Sequence, residues 1–236
     1  MENSIKATLS ERIARSKYIE SFRFLPETRI AFLPGQFTQL VFDSDNPGNR
    51  QLNKYLSFSA SPTKQYLEVT KRLGESNFSQ KLRNLKLGDS VSLRPAMGSC
   101  VFSDSDKDIA FLIGGIGITP VISILEYIVD KRLDTDSVVL YSNRTEDIAF
   151  RAELDDWQKL HKNIKVFYTL TDCEPKDKQC RFGAINQDLV KQIISDFSRR
   201  FLFIFGPPSM VEATYKLCLS LGCDQAKIKR EGFIGY

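Results

Sequence analysis

A glycine-rich segment that follows an apolar run is the strongest local sign of chemistry in this sequence. Residues 109–113 read Ile-Ala-Phe-Leu-Ile, and residues 114–120 continue as Gly-Gly-Ile-Gly-Ile-Thr-Pro. Glycines let a backbone approach a ligand, and the start of a helix attracts anions; Thr119 suits an N-cap and Pro120 a first helical position. The segment predicts a cradle for a pyrophosphate. Because its spacing is not the GxGxxG fingerprint, a tight strand–helix turn without a ligand is an equal alternative.

Two further strand ends carry residues that suit a nucleotide. The apolar run at residues 201–205 leads into Gly206-Pro-Pro, and the run at residues 137–141 leads into Ser142, Asn143 and Arg144. Parallel strands end at one edge of their sheet, where such sheets bind ligands. These polar groups suit the ribose or phosphate of an adenosine. For Arg144 alone, a solvated loop is the better interpretation.

The elements that position these residues differ between the two halves of the chain. Up to about residue 103, short apolar runs alternate with turn signals, a pattern typical of an antiparallel barrel or sandwich, with one helix near residues 77–85. Beyond residue 105, strands predicted at 109–113, 137–141, 164–170, 201–205 and 227–230 alternate with segments of helical period. This alternation predicts a parallel sheet with helices on both faces. We therefore expect two domains, residues 1–104 and residues 105–236.

Composition narrows the class of protein. The chain has 236 residues, with 33 Lys+Arg, 29 Asp+Glu and a single His, which excludes most His-based triads and His-rich metal sites. A net charge of +4 argues against a dedicated nucleic-acid binder. Residues 109–129 contain three glycines, Pro120 and Glu126, so we predict no membrane span there.

The five cysteines indicate a reducing compartment. Their number is odd, no CxxC occurs, and the first ten residues lack the apolar core of a signal peptide, so we expect a cytoplasmic location. Cys218 and Cys223 have the first spacing of a plant-type iron–sulfur ligand set. The next cysteine of that set is missing, so no metal site is predicted.

Taken together and in order, these segments resemble the ferredoxin–NADP⁺ reductase-like flavoproteins. In the second half, the similar segments are residues 114–120, 141–144 and 205–208. In the first half, Lys54-Tyr-Leu-Ser57 resembles the family's flavin motif, Arg-x-Tyr-Ser in its commonest form, and Gly35-Gln-Phe resembles the entry strand. Near the C-terminus, residues 231–233 resemble the family's Glu-x-Phe. The resemblance covers nearly the whole chain and implies an antiparallel β-barrel FAD-binding domain followed by an α/β parallel-sheet NAD(P)-binding domain.

The resemblance also implies which residues bind each cofactor. The FAD-binding set is Lys54, Tyr55, Leu56, Ser57, Thr70, Lys71, Gly74, Ser76, Asn77, Phe78 and Ser79. The set for NADH or NADPH is Gly114, Gly115, Gly117, Thr119, Ser142, Asn143, Arg144, Gly206 and Pro207. Ser57, whose hydroxyl would contact flavin N5, and Glu231 are the catalytic candidates. Phe233 or the terminal Tyr236 would cover the flavin, although core packing is nearly as good an interpretation of these two aromatics.

Three positions depart from the family pattern. Lys54 stands in place of the usual Arg and offers a point charge rather than a bidentate fork. Leu56 replaces an aromatic residue, so stacking on the flavin would pass to a neighbour such as Tyr55. Phe205 stands where many members carry a Cys. No Cys set of the iron–sulfur-containing members is present.

The resulting hypothesis is an FAD-dependent oxidoreductase that takes a hydride from NADH or NADPH and passes electrons to an acceptor. Residues 1–104 carry a net charge of +5, and we expect the excess, at Lys71, Arg72, Lys81, Arg83 and Lys86, to dock an acidic redox protein such as a ferredoxin or flavodoxin. A solvated face is the plainer interpretation of these charges. The alternatives in function are an electron-transfer subunit of a larger complex, and a cofactor-binding module with little turnover.

Overall fold

The computed structural model describes residues 4–233, which form two compact units. The first unit contains the residues up to Phe102 together with Thr119–Asp130. The second contains Ser103–Ile118 together with the chain from Lys131 onward. The domain boundary predicted after residue 104 assigns the segment Thr119–Asp130 to the second domain. In the structure this segment belongs to the first unit.

The first unit is built on six antiparallel strands. They are β1 (Ile5–Ala14), β2 (Ile19–Pro26), β3 (Phe37–Val41), β4 (Asn53–Ser57), β5 (Leu67–Arg72) and β6 (Ser90–Leu93). Their order across the sheet is β4-β3-β6-β1-β2-β5. Helix α1 (Asn77–Asn84) lies between β5 and β6 in the chain, and its Phe78 and Leu82 are fully buried in the same apolar core as the inward side chains of the strands.

The two outer strands of this sheet meet just after β4 and close it into a barrel. Phe58 forms an antiparallel bridge with Val69 of β5, and the Ser59 amide donates a hydrogen bond of 2.8 Å to the Glu68 carbonyl. Phe58 and Val69 are both fully buried. Because a strand directs alternate side chains to opposite faces, this pairing turns both residues into the barrel core.

A buried carboxylate, Glu68 on β5, ties several strands together at that closure. Its side chain is 2% exposed and accepts hydrogen bonds from Arg15 (3.1 Å), Arg23 (2.8 Å) and the Ser59 hydroxyl (3.1 Å). The hydroxyls of Ser59 and Thr70 lie 2.6 Å apart and extend the network. A buried charge is costly unless it is paired and hydrogen-bonded. Here two guanidinium groups and a hydroxyl supply what Glu68 needs.

The second unit is built on six parallel strands. They are β7 (Asp108–Gly114), β8 (Asp136–Asn143), β9 (Ile164–Leu170), β10 (Cys180–Phe182), β11 (Phe201–Gly206) and β12 (Ile228–Gly232), in the order β10-β9-β8-β7-β11-β12. The helices of this unit are α3 (Arg151–Leu160), α4 (Gln187–Ile193) and α5 (Pro208–Ser220). Helix α2 (Ile118–Lys131) follows β7 in the chain but belongs to the first unit, except for its two end residues. Since the strands are parallel, their carboxyl ends share one edge of the sheet.

One face of this sheet packs against α4 and α5. Leu112, Leu140 and Ile204 from three neighbouring strands form a buried cluster with Val190 of α4 and Val211 of α5. Such a continuous apolar layer explains why the strand sequences read as near-unbroken apolar runs, as expected for parallel strands buried on both faces.

The predicted fold class, a β-barrel followed by a parallel α/β sheet, is confirmed. The strand predicted at residues 164–170 has the same bounds in the structure as β9. Three strands were not predicted from apolar runs: β1, whose charged residues interrupt its apolar pattern, β4, which carries the flavin motif, and the three-residue β10. The helical period of Leu189, Ile193 and Phe197 predicts one helix through residue 197. That extent is wrong, because α4 ends at Ile193 and Phe197 lies in a separate 3₁₀ turn.

We expect Glu68→Ala to destabilise the barrel strongly. The substitution leaves the Arg15 guanidinium, itself 9% exposed, without its carboxylate partner, and breaking a buried ion pair in this way costs about 3–5 kcal/mol. Urea unfolding followed by circular dichroism measures the change. The matched control is Glu27→Gln, whose ion pair with Lys6 is more than half exposed on both sides and whose loss should change the free energy of unfolding by less than about 1 kcal/mol. Equal effects of the two substitutions would contradict the role given to Glu68.

Candidate functional site

The flavin-motif residues on β4 divide between its two faces. Leu56 is 9% exposed and belongs to the barrel core, on the same face as half-buried Lys54. Tyr55 and Ser57 share the opposite face, where the Tyr55 ring is 63% exposed and Ser57 only 8%. The ring of Tyr55 meets that of Phe37 edge-on, with centroids 5.8 Å apart. Tyr55, rather than Leu56, is therefore the exposed aromatic surface of this strand.

The edges of β4 and β5 carry the predicted flavin contacts. The two strands are the outermost in the sheet, and the Phe58–Val69 bridge joins them. On its other side, β5 pairs with β2. Thr70 and Lys71 follow Val69 along β5, on the side away from the closure. Because strand edges expose backbone N–H and C=O groups, this edge offers main-chain contacts to a planar ligand.

The Thr70 side chain, in contrast, is committed to the protein. Its hydroxyl lies 2.6 Å from the hydroxyls of both Ser21 and Ser59, and Thr70 is 3% exposed. Only the backbone of Thr70 is therefore suited to a cofactor contact, as the sequence reading expected.

Three cations gather near this edge. Lys71 is 8% exposed, and its ammonium donates a hydrogen bond of 3.2 Å to the Arg72 carbonyl. Burial first, and then the positive charges of Lys54 and Arg72, lower the pKa of Lys71. Bringing a diphosphate to these cations would relieve their mutual repulsion and raise the pKa of Lys71, favouring its charged form. The residues present thus fit an anionic cofactor, although a buried Lys71 is not available as part of an exposed docking face.

The start of α1 is organised around two serines. Ser76 is the N-cap, and its hydroxyl accepts a hydrogen bond of 3.2 Å from the Ser79 amide and donates one of 3.0 Å to the Ser79 hydroxyl. The Ser79 hydroxyl in turn accepts from the Gly74 amide at 3.3 Å. Asn77 is exposed and donates to Gln51, whereas Phe78 is fully buried. Since both hydroxyls cap the turn, the groups left for a phosphate are the backbone amides at the helix start.

The turn after β7 contains glycines that meet different needs. A Cβ on Gly117 would lie 2.5 Å from the Phe205 carbonyl oxygen, and one on Gly114 would lie 3.0 Å from the sulfur of Met210. Gly115 has a φ of +53° and open space beside it. Close packing therefore requires Gly117 and favours Gly114, whereas Gly115 supplies the left-handed backbone and the approach that a ligand needs.

The helix start that follows differs from the expectation. Helix α2 begins at Ile118, directly after a 3₁₀ turn over Gly115–Gly117, so the prediction of Thr119 as an N-cap is wrong. Thr119 lies within the first helical turn and is 4% exposed. A helix start in general has backbone amides without intrahelical acceptors, which suits an anion.

The end of β8 holds a buried side-chain amide that could bind a ligand. Ser142 and Asn143 are its last two residues, and Asn143 is 9% exposed. Within residues 4–233, the Asn143 side-chain nitrogen has no hydrogen-bond partner. Buried donors in native proteins are almost always satisfied, so an acceptor on a bound dinucleotide fits this position.

Arg144 is paired with a residue that the sequence reading missed. Its side chain is 86% exposed, and its Nε donates a hydrogen bond of 2.6 Å to Asp172, just beyond β9. A hydrogen bond from Thr171 and the pairing with Arg144 lower the pKa of Asp172. The available signal was the predicted end of the strand at residue 170, since the residues beyond it reach the same edge as residues 142–144.

The ends of β11 and β12 complete the carboxyl edge. Glu231 lies opposite Phe205, and burial raises the pKa of its carboxyl group. The ring of Phe233 stacks on that of Phe205, with centroids 6.2 Å apart and planes 3° from parallel. Gly206 ends β11, and Pro207 precedes α5. The register thus brings the predicted Glu231, Gly206 and Phe233 together.

The sequence also led to expectations about Tyr236, metal sites and membrane spans. Tyr236 lies outside the described residues. Among residues 4–233, no three His, Cys, Asp or Glu side chains are grouped as metal ligands, and no helix has the length and apolar character needed to cross a membrane.

Known proteins are similar to this chain in sequence. The family described as oxidoreductase NAD-binding domain matches residues 111–216. NADH-cytochrome b5 reductase 1 of Aspergillus terreus is 28% identical over 93% of this chain and 78% of its own length. These similarities are consistent with the resemblance to ferredoxin–NADP⁺ reductase-like flavoproteins.

Solved structures agree with this assignment at the level of the fold. The FAD/NAD-binding domain of a nitric oxide dioxygenase from Vibrio cholerae superposes with a TM-score of 0.85 at 20% identity, covering 98% of this chain and 99% of that one. For ferredoxin-NADP⁺ reductase from Plasmodium falciparum the values are 0.79, 19%, 98% and 96%. The predicted class of activity, NAD(P)H-dependent flavin oxidoreductase, and the predicted cofactors, FAD and NAD(P)H, agree with these similar proteins. In eight of the curated relatives, the matching region spans between 16% and 79% of the relative's own length.

We expect Gly117→Ala to damage the turn more than Gly115→Ala. The new Cβ at residue 117 would lie 2.5 Å from backbone of β11, so strand or helix must shift, whereas at residue 115 the space is open and the positive φ costs only about 1 kcal/mol. Thermal unfolding and the dissociation constant of NADH measure the two effects. Gly222→Ala, also at a positive φ in open space but after α5, controls for backbone strain alone. A Gly117→Ala protein as stable as Gly115→Ala would refute the packing argument.

Proposed function

We propose that this chain takes a hydride from NADH onto bound FAD and passes the electrons to a one-electron acceptor protein. The observation that carries the proposal is the cluster of Lys54, buried Lys71 and Arg72 on β4 and β5. The mutual repulsion of these positive charges favours the binding of an anion. The match of residues 111–216 to NAD-binding oxidoreductase domains supports the second cofactor.

The residues of the chain bind and orient while the cofactors carry the redox chemistry. Flavin accepts a hydride and releases electrons singly, so no general base is required. Lys54, Lys71 and the amides at the start of α1 hold the phosphates of FAD. The hydroxyl of Ser57, a residue that is 8% exposed, would contact the hydride-accepting edge of the flavin and exclude water from it.

The pairing of Arg144 with Asp172 favours NADH over NADPH. An unpaired arginine at this position would attract the 2′-phosphate of NADPH, but the Asp172 carboxylate lies 2.6 Å from Arg144 and neutralises it. A 2′-phosphate would also meet the negative charge of Asp172, whereas the ribose hydroxyls of NADH could donate to that carboxylate. The sequence alone left this choice open.

The acceptor is an acidic carrier protein, which docks on the exposed basic residues of α1 and the turn after it. Lys81, Arg83 and Lys86 are exposed, and Leu87 beside them is 65% exposed. Basic side chains around an accessible apolar residue suit transient docking of an acidic partner. A ferredoxin, a flavodoxin or an acidic haem protein has this chemistry.

The location we propose is the cytoplasm. The five cysteines form no disulfide within residues 4–233, and four of them are buried. Cysteines that are not joined in disulfides favour a reducing compartment.

The decisive experiment is an absorption spectrum of the purified protein, followed by anaerobic titration with each nicotinamide. We expect a yellow protein that releases FAD on denaturation and is reduced by NADH at lower concentration than by NADPH. Asp172→Ala should narrow that difference, because it frees Arg144 to bind a 2′-phosphate. Ser57→Ala should slow flavin reduction at saturating NADH by about 5- to 100-fold, as loss of a transition-state hydrogen bond costs roughly 1–3 kcal/mol.

The control for Ser57 is Ser10→Ala, which removes an exposed hydroxyl bonded to the Arg23 carbonyl and should leave the rate unchanged. Protein that stays colourless after incubation with FAD and with FMN would exclude the flavin function. An unchanged reduction rate in Ser57→Ala would leave Ser57 a structural residue only.

Salt tests the docking surface separately. Reduction of an acidic carrier protein should slow steeply as ionic strength rises, because the Debye length falls to about 8 Å near physiological salt, while reduction of a small neutral quinone should barely respond. Lys81→Glu combined with Lys86→Glu should slow the carrier reaction at least about tenfold at low salt. Lys159→Glu combined with Lys162→Glu, two exposed residues at the end of α3 and just after it, is the charge-matched control. A flat salt profile for both acceptors would mean that this face is only solvated.

A further inference from the structure

One face of α2 is bonded to the loop that leaves the flavin strand. Ser123, Glu126 and Asp130 occupy positions i, i+3 and i+7, which lie on one side of a helix. The Ser123 hydroxyl donates to the Ala60 carbonyl at 2.8 Å, and Glu126 accepts from the Ser61 amide at 2.6 Å. We call these contacts, with those of Asp130, the α2 seam.

The seam continues to the last turn of the helix. Asp130 accepts hydrogen bonds from the Thr63 hydroxyl and from the Lys64 ammonium, the latter at 3.1 Å. Lys64 also lies 3.2 Å from Glu126. Residues 60–64 therefore run alongside the helix in the same direction, with successive residues bonded to successive turns.

These contacts are buried at their centre. Ser123 and Ser61 are fully buried, and the Glu126 side chain is 19% exposed. Burial raises the pKa of Glu126, while the Ser61 amide and Lys64 act in the opposite direction. Holding a carboxylate in such surroundings costs free energy that an apolar side chain would not cost.

Apolar packing alone would already hold this helix. Val121, Ile124, Leu125 and Ile128 on the same helix are at most 1% exposed. Apolar contacts are non-directional, however, whereas hydrogen bonds to main-chain groups fix where a helix stands along its axis. The α2 seam therefore fixes the position of the helix along its axis rather than burying more apolar surface.

Both ends of the seam lead to residues with a proposed role in binding cofactors. Ala60 follows Ser57 by three residues, and α2 begins one residue after Gly117. Thr119, in the first turn of α2, belongs to the same compact unit as the flavin strand. The helix start that holds the dinucleotide phosphates is thus fixed to the strand that holds the flavin edge.

We propose that Ser123 and Glu126 are positioning residues for hydride transfer. They set where the phosphate-binding start of α2 stands along β4 and its loop, and so where the bound nicotinamide donates its hydride. This inference rests on the proposed function. Hydride transfer depends steeply on donor–acceptor placement, and a misplacement of about 1 Å can cost about 100-fold in rate.

The test compares three variants of the FAD-loaded protein in stopped-flow reduction by NADH. Glu126→Met keeps the volume but removes the acceptor for the Ser61 amide, Ser123→Ala removes the donor to Ala60, and Glu126→Gln keeps an oxygen acceptor. We expect the limiting reduction rate to fall about tenfold or more in Glu126→Met, to fall less in Ser123→Ala, and to stay within about threefold of wild type in Glu126→Gln.

Three further readouts separate positioning from a general loss of structure. The FAD absorption spectrum, the flavin reduction potential and the dissociation constant of NADH should stay close to wild type in all three variants. Glu212→Met is the matched control, because it removes an exposed carboxylate that also pairs with basic side chains, Lys216 and Arg230, and it should change none of these quantities.

Each outcome of this experiment either supports the inference or overturns it. A wild-type limiting rate in Glu126→Met, or equal slowing in Glu126→Met and Glu126→Gln, would overturn the inference. Weaker NADH binding with an unchanged limiting rate would give the seam a binding role instead and would also overturn it. If Glu126→Met does not fold, Ser123→Ala decides by the same criteria. Wild-type protein that binds FAD but is not reduced by either nicotinamide would refute the proposed function itself, and the inference with it.

Discussion

The burial of Glu68 is the constraint on which the first unit depends. Its carboxylate is stable inside the barrel because Arg15, Arg23 and Ser59 bind it, and that binding joins β5 to the residue just after the flavin strand. The sheet therefore closes at Phe58 and Val69. The residues of both strands that we propose to bind FAD lie on one side of this closure, where strand edges and the cations Lys54 and Lys71 can serve a ligand. Ion pairs that take no part in the proposed chemistry thus fix the frame of the proposed flavin site.

Buried and exposed lysines of this unit suit different kinds of interaction. Lys71 is buried and loses proton affinity to burial and to its cationic neighbours, so it is suited to a cofactor phosphate that stays bound. Lys81 and Lys86 are exposed to water, where salt screens charges, so they suit a partner that binds and leaves. One basic half of the chain can in this way serve a tight and a transient interaction without conflict.

The carboxyl edge of the parallel sheet brings together residues that are far apart in the chain. Strand ends at Gly114, Asn143 and Gly206 come from β7, β8 and β11, and the turn at Gly117 fits directly against the backbone of β11. This close approach leaves the backbone at Gly115 open and places α2 immediately after it. Through Ser123 and Glu126, the same helix is bonded to the barrel loop.

The sequence by itself determined the class of fold, the order of the elements and most of the glycine and polar positions at strand ends, because these follow from local periodicity and turn chemistry. The bounds of β9 and the start of α1 at Asn77 could be predicted in this way. Only the tertiary structure decided that Lys71 is buried, that Leu56 belongs to the core, that Asp172 neutralises Arg144, and that Glu126 is bonded to Ser61. Each of these depends on which distant segments meet, and a local pattern carries no record of its partner in space.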